Sequence, residues 1–477
     1  MSAIDAKETF ASLPPEPEFD KVTALLKPAL AQFATKIIVL DDDPTGSQTL
    51  HDISVYTNWS ITSIRQGFAE KNSMFYILTN SRGLTENETK TLHTEIAKNI
   101  CQVASETRQK FLIISRSDST LRGHYPLETE ILKKVIEKEM TIKYDGEVIM
   151  PFLKEGGRFT INDVHYVQMG EKLVPAGETE FAKDATFGFK SSNLKDWVQE
   201  KTVGRYLAKD VTSIELADLR TLNITKITAQ LQHVKNFNKV IVNAADYCDV
   251  QVFVIALIQA ITNGKNFIFR TAAALPKIIG GVSDKPLLTK NDLVAQDTTA
   301  GGLIIVGSHV QKSTEQLNEL KKLSNIKFIE FNATKILTKE GLIPEEERVS
   351  AEVNKLLQQG RTVTVYTSRK KIEAADNNEE HSLKLSVSIS EAITNIVKNL
   401  TVKPRFLIAK GGITSSDVGV HGLGVKRATV AGQIKPGIPV WNTGMEAKFP
   451  KLAYVIFPGN VGNKETLREV VEELDKR

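Results

Sequence analysis

The chain has 477 residues, 41% of them hydrophobic and 25% charged, which is the balance of an ordinary globular protein and disfavours both disorder and membrane residence. Its 61 basic against 57 acidic residues leave a net charge of +4, too even for a dedicated nucleic-acid binder, and only Cys101 and Cys248 are present, which excludes a disulfide framework. The length exceeds what one core supports and suggests two domains. No basic segment leads into an apolar one near the start, and no run approaches 18 apolar residues, so the expectation is a cytoplasmic protein with no membrane and no nucleic-acid partner.

Residues 1 to about 20, with Pro14, Pro15 and Pro17, read as a loose arm that leads into a first helix before residue 36. KIIVLDDDPTGSQT, from Lys36 to Thr49, then opens as a buried strand of an α/β sheet and empties into Asp41, Asp42 and Asp43 at its carboxyl end, where such sheets bind ligands. Three adjacent carboxylates repel one another and require a cation or a proton donor to answer them; a helix-capping acidic turn is the plainer reading. HDISVYTNW reads as another strand of this lobe, and 60–71 as a helix. SMFYILTNSRGL repeats the opening pattern and delivers Asn80, Ser81 and Arg82 to the same edge, ahead of a helix over 85–108.

FLIISRSDSTLRGHYPL is the densest stretch: a strand over 111–115 hands over Arg116, Ser117, Asp118, Ser119, Thr120 and Arg122 before a helix near Pro126. A guanidinium fork matches a carboxylate, and Ser, Thr and Asp bond vicinal hydroxyls, so this set suits a small polyhydroxy acid. His124 is read as an orienting group or as a structural histidine. From 147 to 189 the chain reads as long polar loops around a short HYV strand, with Gly156, Gly157 and Arg158 in a basic turn and Phe181 and Asp184 nearby. Strands over 239–247 and 266–275 continue the βα rhythm, and the pattern loosens near residue 300.

Beyond it, GGLIIVGSHVQKSTEQL runs a strand into Gly307 and Ser308. Strands at 327–331, 362–368, 405–412, 438–442 and 454–459 follow. AKGGITSSD sets Gly411, Gly412, Thr414, Ser415 and Ser416 between a strand and a helix, the form of a phosphate cradle, and FPGNVGNKE repeats it with Gly459, Gly462 and Lys464. Turn glycines of an α/β protein are the plainer alternative. P-loop, dinucleotide-fingerprint, zinc-protease and protein-kinase motifs are absent, as are internal repeats.

DDPTG at 42–46, TNSRGL at 79–84, SDSTLRGH at 117–124, GRFTINDVHYV at 157–167, VGSHVQKSTEQL at 306–317, KGGITSSD at 410–417 and FPGNVG at 457–462 together resemble the four-carbon acid sugar kinases, long described as a domain of unknown function. The resemblance implies an α/β fold of two lobes, each a largely parallel sheet flanked by helices, with the active site in the cleft between them. It implies an N-terminal arm and first helix over 1–35, an acid-sugar-binding domain over 36–299 and a nucleotide-binding domain over 300–477. ATP and Mg2+ would be the cofactors, a small acid sugar the substrate, and a homodimer is left open. Asp42, Asp43, Asn80, Ser81, Arg82, Asp118, Ser119, Thr120, Arg122 and Arg158 would fall to the substrate side, and Ser308, Gly411, Gly412, Thr414, Ser415, Gly459 and Gly462 to the nucleotide side. Phosphoryl transfer needs a carboxylate to take the hydroxyl proton: Asp43 is assigned that role, with Asp42 nearer the metal or the hydroxyls and the reverse assignment open, while Arg82, Arg122 and Arg158 share the substrate carboxylate and the transferring phosphoryl charge. Ile413, where members commonly carry an acidic residue, keeps a non-catalytic sugar-acid sensor as an alternative; an acid-sugar aldolase or dehydratase is another, and leaves KGGITSSD unexplained.

Overall fold

The computed structural model describes residues 2–295, 298–369 and 379–476, and the chain divides into two compact units: Met1–Gly46 with Asn58–Asp284, and Ser47–Thr57 with Lys285–Arg477. The division at 284/285 precedes the expected one at 299/300, and the first unit is discontinuous. Residues 47–57 leave it because Ser54–Tyr56 pairs antiparallel with Arg427–Thr429, and because Trp441 Nε1 donates to Ser47 Oγ at 3.0 Å. HDISVYTNW announces a strand, as expected, but nothing in its composition announces a partner so distant in the chain.

The main sheet of the first unit has seven strands, all parallel, in the order Thr212–Ile214, Asn238–Val242, Gly146–Met150, Phe267–Thr271, Phe111–Arg116, Lys36–Asp41 and Met74–Leu78. Runs such as IIVL and MFYIL lack polar alternation because both faces are covered, and every residue of Ile37–Leu40 and Met74–Leu78 is buried. The covering helices carry their own start signals. Thr85 and Glu88 form a capping box at Glu86–Thr107, and Asp246 with Asp249 forms one at Tyr247–Thr262, whose apolar residues run nearly all round it.

A second, antiparallel sheet contains the expected HYV strand, as Val164–Met169, and adds two strands in what was expected to be loop, Arg158–Ile161 and Lys172–Pro175, with Ile4–Asp5 on its edge. Asn162 and Asp163 both sit at positive φ (49° and 63°), the signature of a tight two-residue hairpin turn. The loose arm is likewise corrected. Asp5 caps the helix Ala6–Ser12, Phe10 packs edge-on to Phe159 at 4.9 Å, and Arg220 donates to the Pro14 carbonyl at 2.7 Å.

The second unit orders its strands Ser54–Tyr56, Arg427–Lys435, Ile438–Thr443, Ala453–Phe457, Leu407–Lys410, Leu303–Val306, Val363–Thr367 and Lys327–Phe331. The last five are parallel, and the first three pair antiparallel, so one end of the sheet departs from the expected α/β alternation. Arg427–Lys435 was not expected as a strand, since RATVAGQIK mixes charge, glycine and apolar residues. It is bent by register shifts at Val430/Gly432 and Gln433/Lys435 and turns into its partner at Gly437, φ 76°.

The turn after the first strand shows why DDPTG needs its glycine. A Cβ on Gly46 would stand 2.1 Å from both Asp41 carboxylate oxygens, and that carboxylate is buried and held by Arg116 at 3.1 Å, so it cannot swing away cheaply. Gly46→Ala is expected to cost about 1–3 kcal/mol of unfolding free energy, the usual range for overpacking. Urea denaturation checks this, and an unchanged midpoint would mean that the contact is slack.

Candidate functional site

In the first unit the parallel strands deliver their polar residues to one edge, and the charges there interlock. Arg82 Nη2 and Nε donate to the two oxygens of Asp42 at 2.6 and 3.1 Å, and its Nη1 donates to Asp43 Oδ2 at 3.2 Å. Arg116 Nη1 donates to Asp41 at 3.1 Å and lies 3.7 Å from Asp42. Two guanidinium groups therefore answer the three consecutive carboxylates, as their mutual repulsion required. The carboxylates are not equivalent. Burial pushes Asp41 up to about 7 against the pull of Arg116, and burial likewise raises Asp42 in spite of Arg82 and Arg116. Asp43 is the most exposed of the three; burial opposes its charge, but Arg82 and the two hydrogen bonds that Thr45 donates to Oδ1, at 2.8 and 2.6 Å, outweigh it and hold the group below its usual range.

The loop after Phe111–Arg116 adds a second ion pair. Arg122 Nε donates to Asp118 Oδ2 at 2.8 Å, and the Thr120 hydroxyl donates to the same oxygen. Burial works against the Asp118 charge, yet Arg82 and Arg122 carry its carboxyl well below the ordinary value. Leu121 and Gly123 adopt positive φ (71° and 117°), and Arg270 Nη2 clamps the turn by donating to the carbonyls of Arg122 and Leu121 at 2.9 and 3.4 Å. Arg158, at the start of its strand, and Arg122 both stack on Phe181, with 5.6 and 5.1 Å from guanidinium carbon to ring centroid.

Some expected ligands belong to the framework. Ser81 is fully buried, and its hydroxyl donates to Glu128 at 2.6 Å, so it is removed from the substrate-contacting set. Asn80 takes the left-handed conformation (φ 52°) that starts the Ser81–Gly83 turn and places Arg82. His124 bonds the Leu84 carbonyl at 2.9 Å and meets Phe187 edge-on, a structural histidine. Ser119 offers its carbonyl to His165 Nε2 at 2.8 Å. His165 went unread in the sequence, as did Arg116 as a partner of the aspartates, because neither motif announces what lies across the sheet.

In the second unit, Gly307, Ser308, Gly411, Gly412 and Thr414 line a pocket of about 340 Å³ whose far wall includes Ala333, Ile389 and Ile393. That volume lies within the roughly 300–1,000 Å³ usual for ligand sites. The glycines are there for close approach: a Cβ on Gly307 would stand 2.4 Å from Thr414 Oγ1, and Gly411, at φ 118°, would place one 2.9 Å from Ser308 Cβ. Ser415 does not line it, since its hydroxyl donates to the Ala409 carbonyl at 2.8 Å from a buried position. Gly462 (φ 80°) belongs to the Asn463–Thr466 turn, where a Cβ would stand 2.6 Å from the Thr466 hydroxyl. Gly459 lies near Ser308, and Lys410 ties its turn down from below, donating to the Pro458 and Gly459 carbonyls at 2.6 and 3.0 Å; burial, with Lys312 adding repulsion, pulls that ammonium down to about 7. Arg369 donates to the Ser308 carbonyl at 2.8 Å, while its buried Nε and Nη1 have no partner among the described residues, a donor set that fits an anion.

Residues 37–279 match the profile of the family described as a sugar-binding N-terminal domain, and residues 303–467 match that of the nucleotide-binding C-terminal domain. The chain belongs to the four-carbon acid sugar kinase family. The first of these matches covers most of the unit that carries the aspartate cluster, and the second covers the glycine-lined pocket. No curated protein matches this member of the family significantly. Two solved structures share the family fold over nearly their whole length. A Haemophilus influenzae protein from a family described as a domain of unknown function is 17% identical with a TM-score of 0.60, covering 92% of this chain and all of that one. A Salmonella typhimurium LT2 protein described provisionally as a tRNA synthase is 14% identical with a TM-score of 0.65, covering 91% of this chain and 98% of its own. At these identities the likeness is one of fold.

His165 makes the loop after Phe111–Arg116 sensitive to acid. Fully buried, it donates from Nε2 to the Ser119 carbonyl and accepts from Thr160 Oγ1 at Nδ1 (3.0 Å), so its neutral form is the one that fits. Burial pulls it from 6.5 down to about 4. The unfolded chain therefore binds a proton that the folded one refuses in that window, and stability present above 6.5 is lost as pH falls toward 4, by on the order of 2–3 kcal/mol. Urea midpoints between pH 7 and 4.5 should fall more steeply for the wild type than for His165→Gln, and equal slopes would place the acid sensitivity elsewhere.

Proposed function

We propose that the protein is an ATP-dependent kinase that phosphorylates a terminal hydroxyl of a small, four-carbon-type acid sugar. The observation that carries this reading is the pairing, in one chain, of a sugar-binding domain whose cluster holds an ionised, partly exposed aspartate among arginines with a nucleotide-binding domain whose glycine turns open onto a pocket. Phosphoryl transfer asks for positioning and charge neutralisation more than for covalent help. Asp43 is the hydroxyl-facing carboxylate: held below its ordinary range and fixed at Oδ1 by Thr45, it orients the hydroxyl and takes its proton as the sugar oxygen bonds the γ-phosphorus of ATP and the bond from that phosphorus to the departing ADP breaks. Asp42 is the less available of the pair, with both oxygens engaged by Arg82, and serves to hold that guanidinium in place. Arg82, still facing Asp43, and Arg122 lend positive charge to the side of the cluster where the phosphoryl group is transferred.

We assign ATP to the pocket of the second unit, with the backbone of Gly307, Gly411 and Gly412 and the hydroxyls of Ser308 and Thr414 as its contacts and Arg369, which donates to the Ser308 carbonyl, as a nearby positive charge. Bound Mg2+ would neutralise charge on the ATP phosphates. Mg2+ takes few protein carboxylates and keeps several waters, so it would be held mainly through the ATP phosphates.

Coupled ADP release across a panel of tetronates tests the reaction: turnover that needs both Mg-ATP and an acid sugar supports it, and ADP release indifferent to every acid would sink it. Asp43→Asn should lower kcat by roughly 100-fold or more with the melting transition unchanged. Near-normal turnover in that folded variant would move the base assignment to Asp42.

Gly411→Val should abolish Mg-ATP binding while a tetronate still binds, because a side chain at φ 118° is strained and its Cβ lands on Ser308. Titration calorimetry with each ligand separates this from a bare turn glycine, whose loss would lower the melting transition without a ligand-specific defect.

A further inference from the structure

Five arginines crowd the polar edge of the first unit, and four are already spent, Arg270 on the carbonyls of Arg122 and Leu121. Arg82 is divided between Asp42 and Asp43, Arg116 is buried against Asp41, and Arg122 is bound to Asp118 with Asp184 a further 3.8 Å from its Nη1. Arg158 differs from all of them. No carboxylate lies within ion-pair distance of it among the described residues, and its Nε is buried without a hydrogen-bond partner. A guanidinium in that position keeps its charge at a cost: burial pulls its pKa below the ordinary value, with Arg122 adding repulsion, and the more distant Asp118 charge, already bonded by Arg122, does not make up the loss. The cost makes sense where a ligand supplies the missing anion.

The direction in which Arg158 faces is set by its strand. Thr160 lies two residues along the same face, its hydroxyl bonds His165, and His165 reaches the carbonyl of Ser119 in the loop that also holds Asp118 and Arg122. Phe181 carries the guanidinium carbons of Arg122 and Arg158 at 5.1 and 5.6 Å from one ring centroid. A guanidinium seated over a ring face keeps its in-plane N–H groups available for a partner, and a fork of such N–H groups is what meets a planar carboxylate with two parallel hydrogen bonds.

Building on the acid-sugar reading, we propose that Arg158 is the anchor for the substrate carboxylate, that Phe181 is the positioning residue that fixes its plane, and that Arg122, neutralised by Asp118, contributes little to this contact. The site then selects a hydroxy acid over the corresponding polyol, because a neutral polyol leaves Arg158 buried and unanswered.

Calorimetry with threonate and erythronate, with the uncharged tetritols, and with glycerate and malate as shorter and dicarboxylic acids tests the assignment. The wild type should bind at least one hydroxy acid and neither tetritol. Arg158→Gln should lose about 100-fold or more in affinity for that acid, with Mg-ATP affinity and the apo melting transition unchanged, whereas Arg122→Gln should lose much less. Arg158→Lys, which keeps the charge without the fork, should recover only a small part, and it carries the same expectation of weakened binding should Arg158→Gln fail to fold. Phe181→Leu should raise KM for the acid and leave kcat nearly unchanged. Acid binding equal to wild type in Arg158→Gln, or a wild type that binds tetritols as well as acids or binds no acid at all, would overturn the assignment. A wild type that binds an acid through Arg158 but transfers no phosphoryl group would support the anchor while removing the kinase reading.

Discussion

Three carboxylates in a row, carried to the end of a buried strand, are the constraint around which the first unit is arranged. Each would be costly there alone, and the fold answers them from both flanking strands of the sheet: Arg82 from the loop after Met74–Leu78, Arg116 from the end of Phe111–Arg116. The answer is uneven. Burial raises the carboxyl of Asp41, which lies against Gly46, while Arg82 and Thr45 hold that of Asp43 below its ordinary range. One strand end thereby carries, two positions apart, a buried carboxyl raised by burial and a partly exposed carboxylate held below its ordinary range.

The same logic runs outward from that strand. Arg82 can be bidentate only because Asn80 accepts a left-handed conformation, and the Ser119 carbonyl is free to be held by His165 only because Leu121 and Gly123 turn the chain sharply afterwards. Ser81, Ser115 and Glu128 then close a buried polar network beneath the loops, in which both hydroxyls donate to the one carboxylate. The polar edge is thus rigid through hydrogen bonding as well as through packing.

The sequence made the parallel strands and their deliveries legible, because a run such as IIVL or MFYIL can only be a strand covered on both faces, and because Asp, Arg, Ser and Gly after it have no structural reason to cluster. It was least legible where function and framework use the same residue types. Ser81 and Ser119 sit in equivalent positions after their strands, yet one is sealed against Glu128 and the other lends only its carbonyl to a histidine, a distinction set by residues across the sheet. Gly411 and Gly462 both sit at positive φ, yet one borders a pocket and the other a helix cap. Of the hairpins over 158–175 only the HYV strand was legible, because the strands on either side of it are four residues long and the first turn depends on Asn162 and Asp163 rather than on glycine.

The displaced segment 47–57 has a consequence for the order in which the protein is made. Ser54 meets Arg427 across 373 residues of chain, and Ser47 meets Trp441 across 394. At synthesis rates of about 5–20 residues per second, the short strand emerges tens of seconds before its partner exists, while the parallel strands around it in the chain already have theirs. The first unit must therefore close over a looped-out apolar strand, and the second must recapture that strand as nearly its last act. An unpaired strand edge exposed for that long invites association with other nascent chains, and the polar residues His51, Asp52 and Asn58 that flank Ile53–Tyr56 limit how far such pairing can extend.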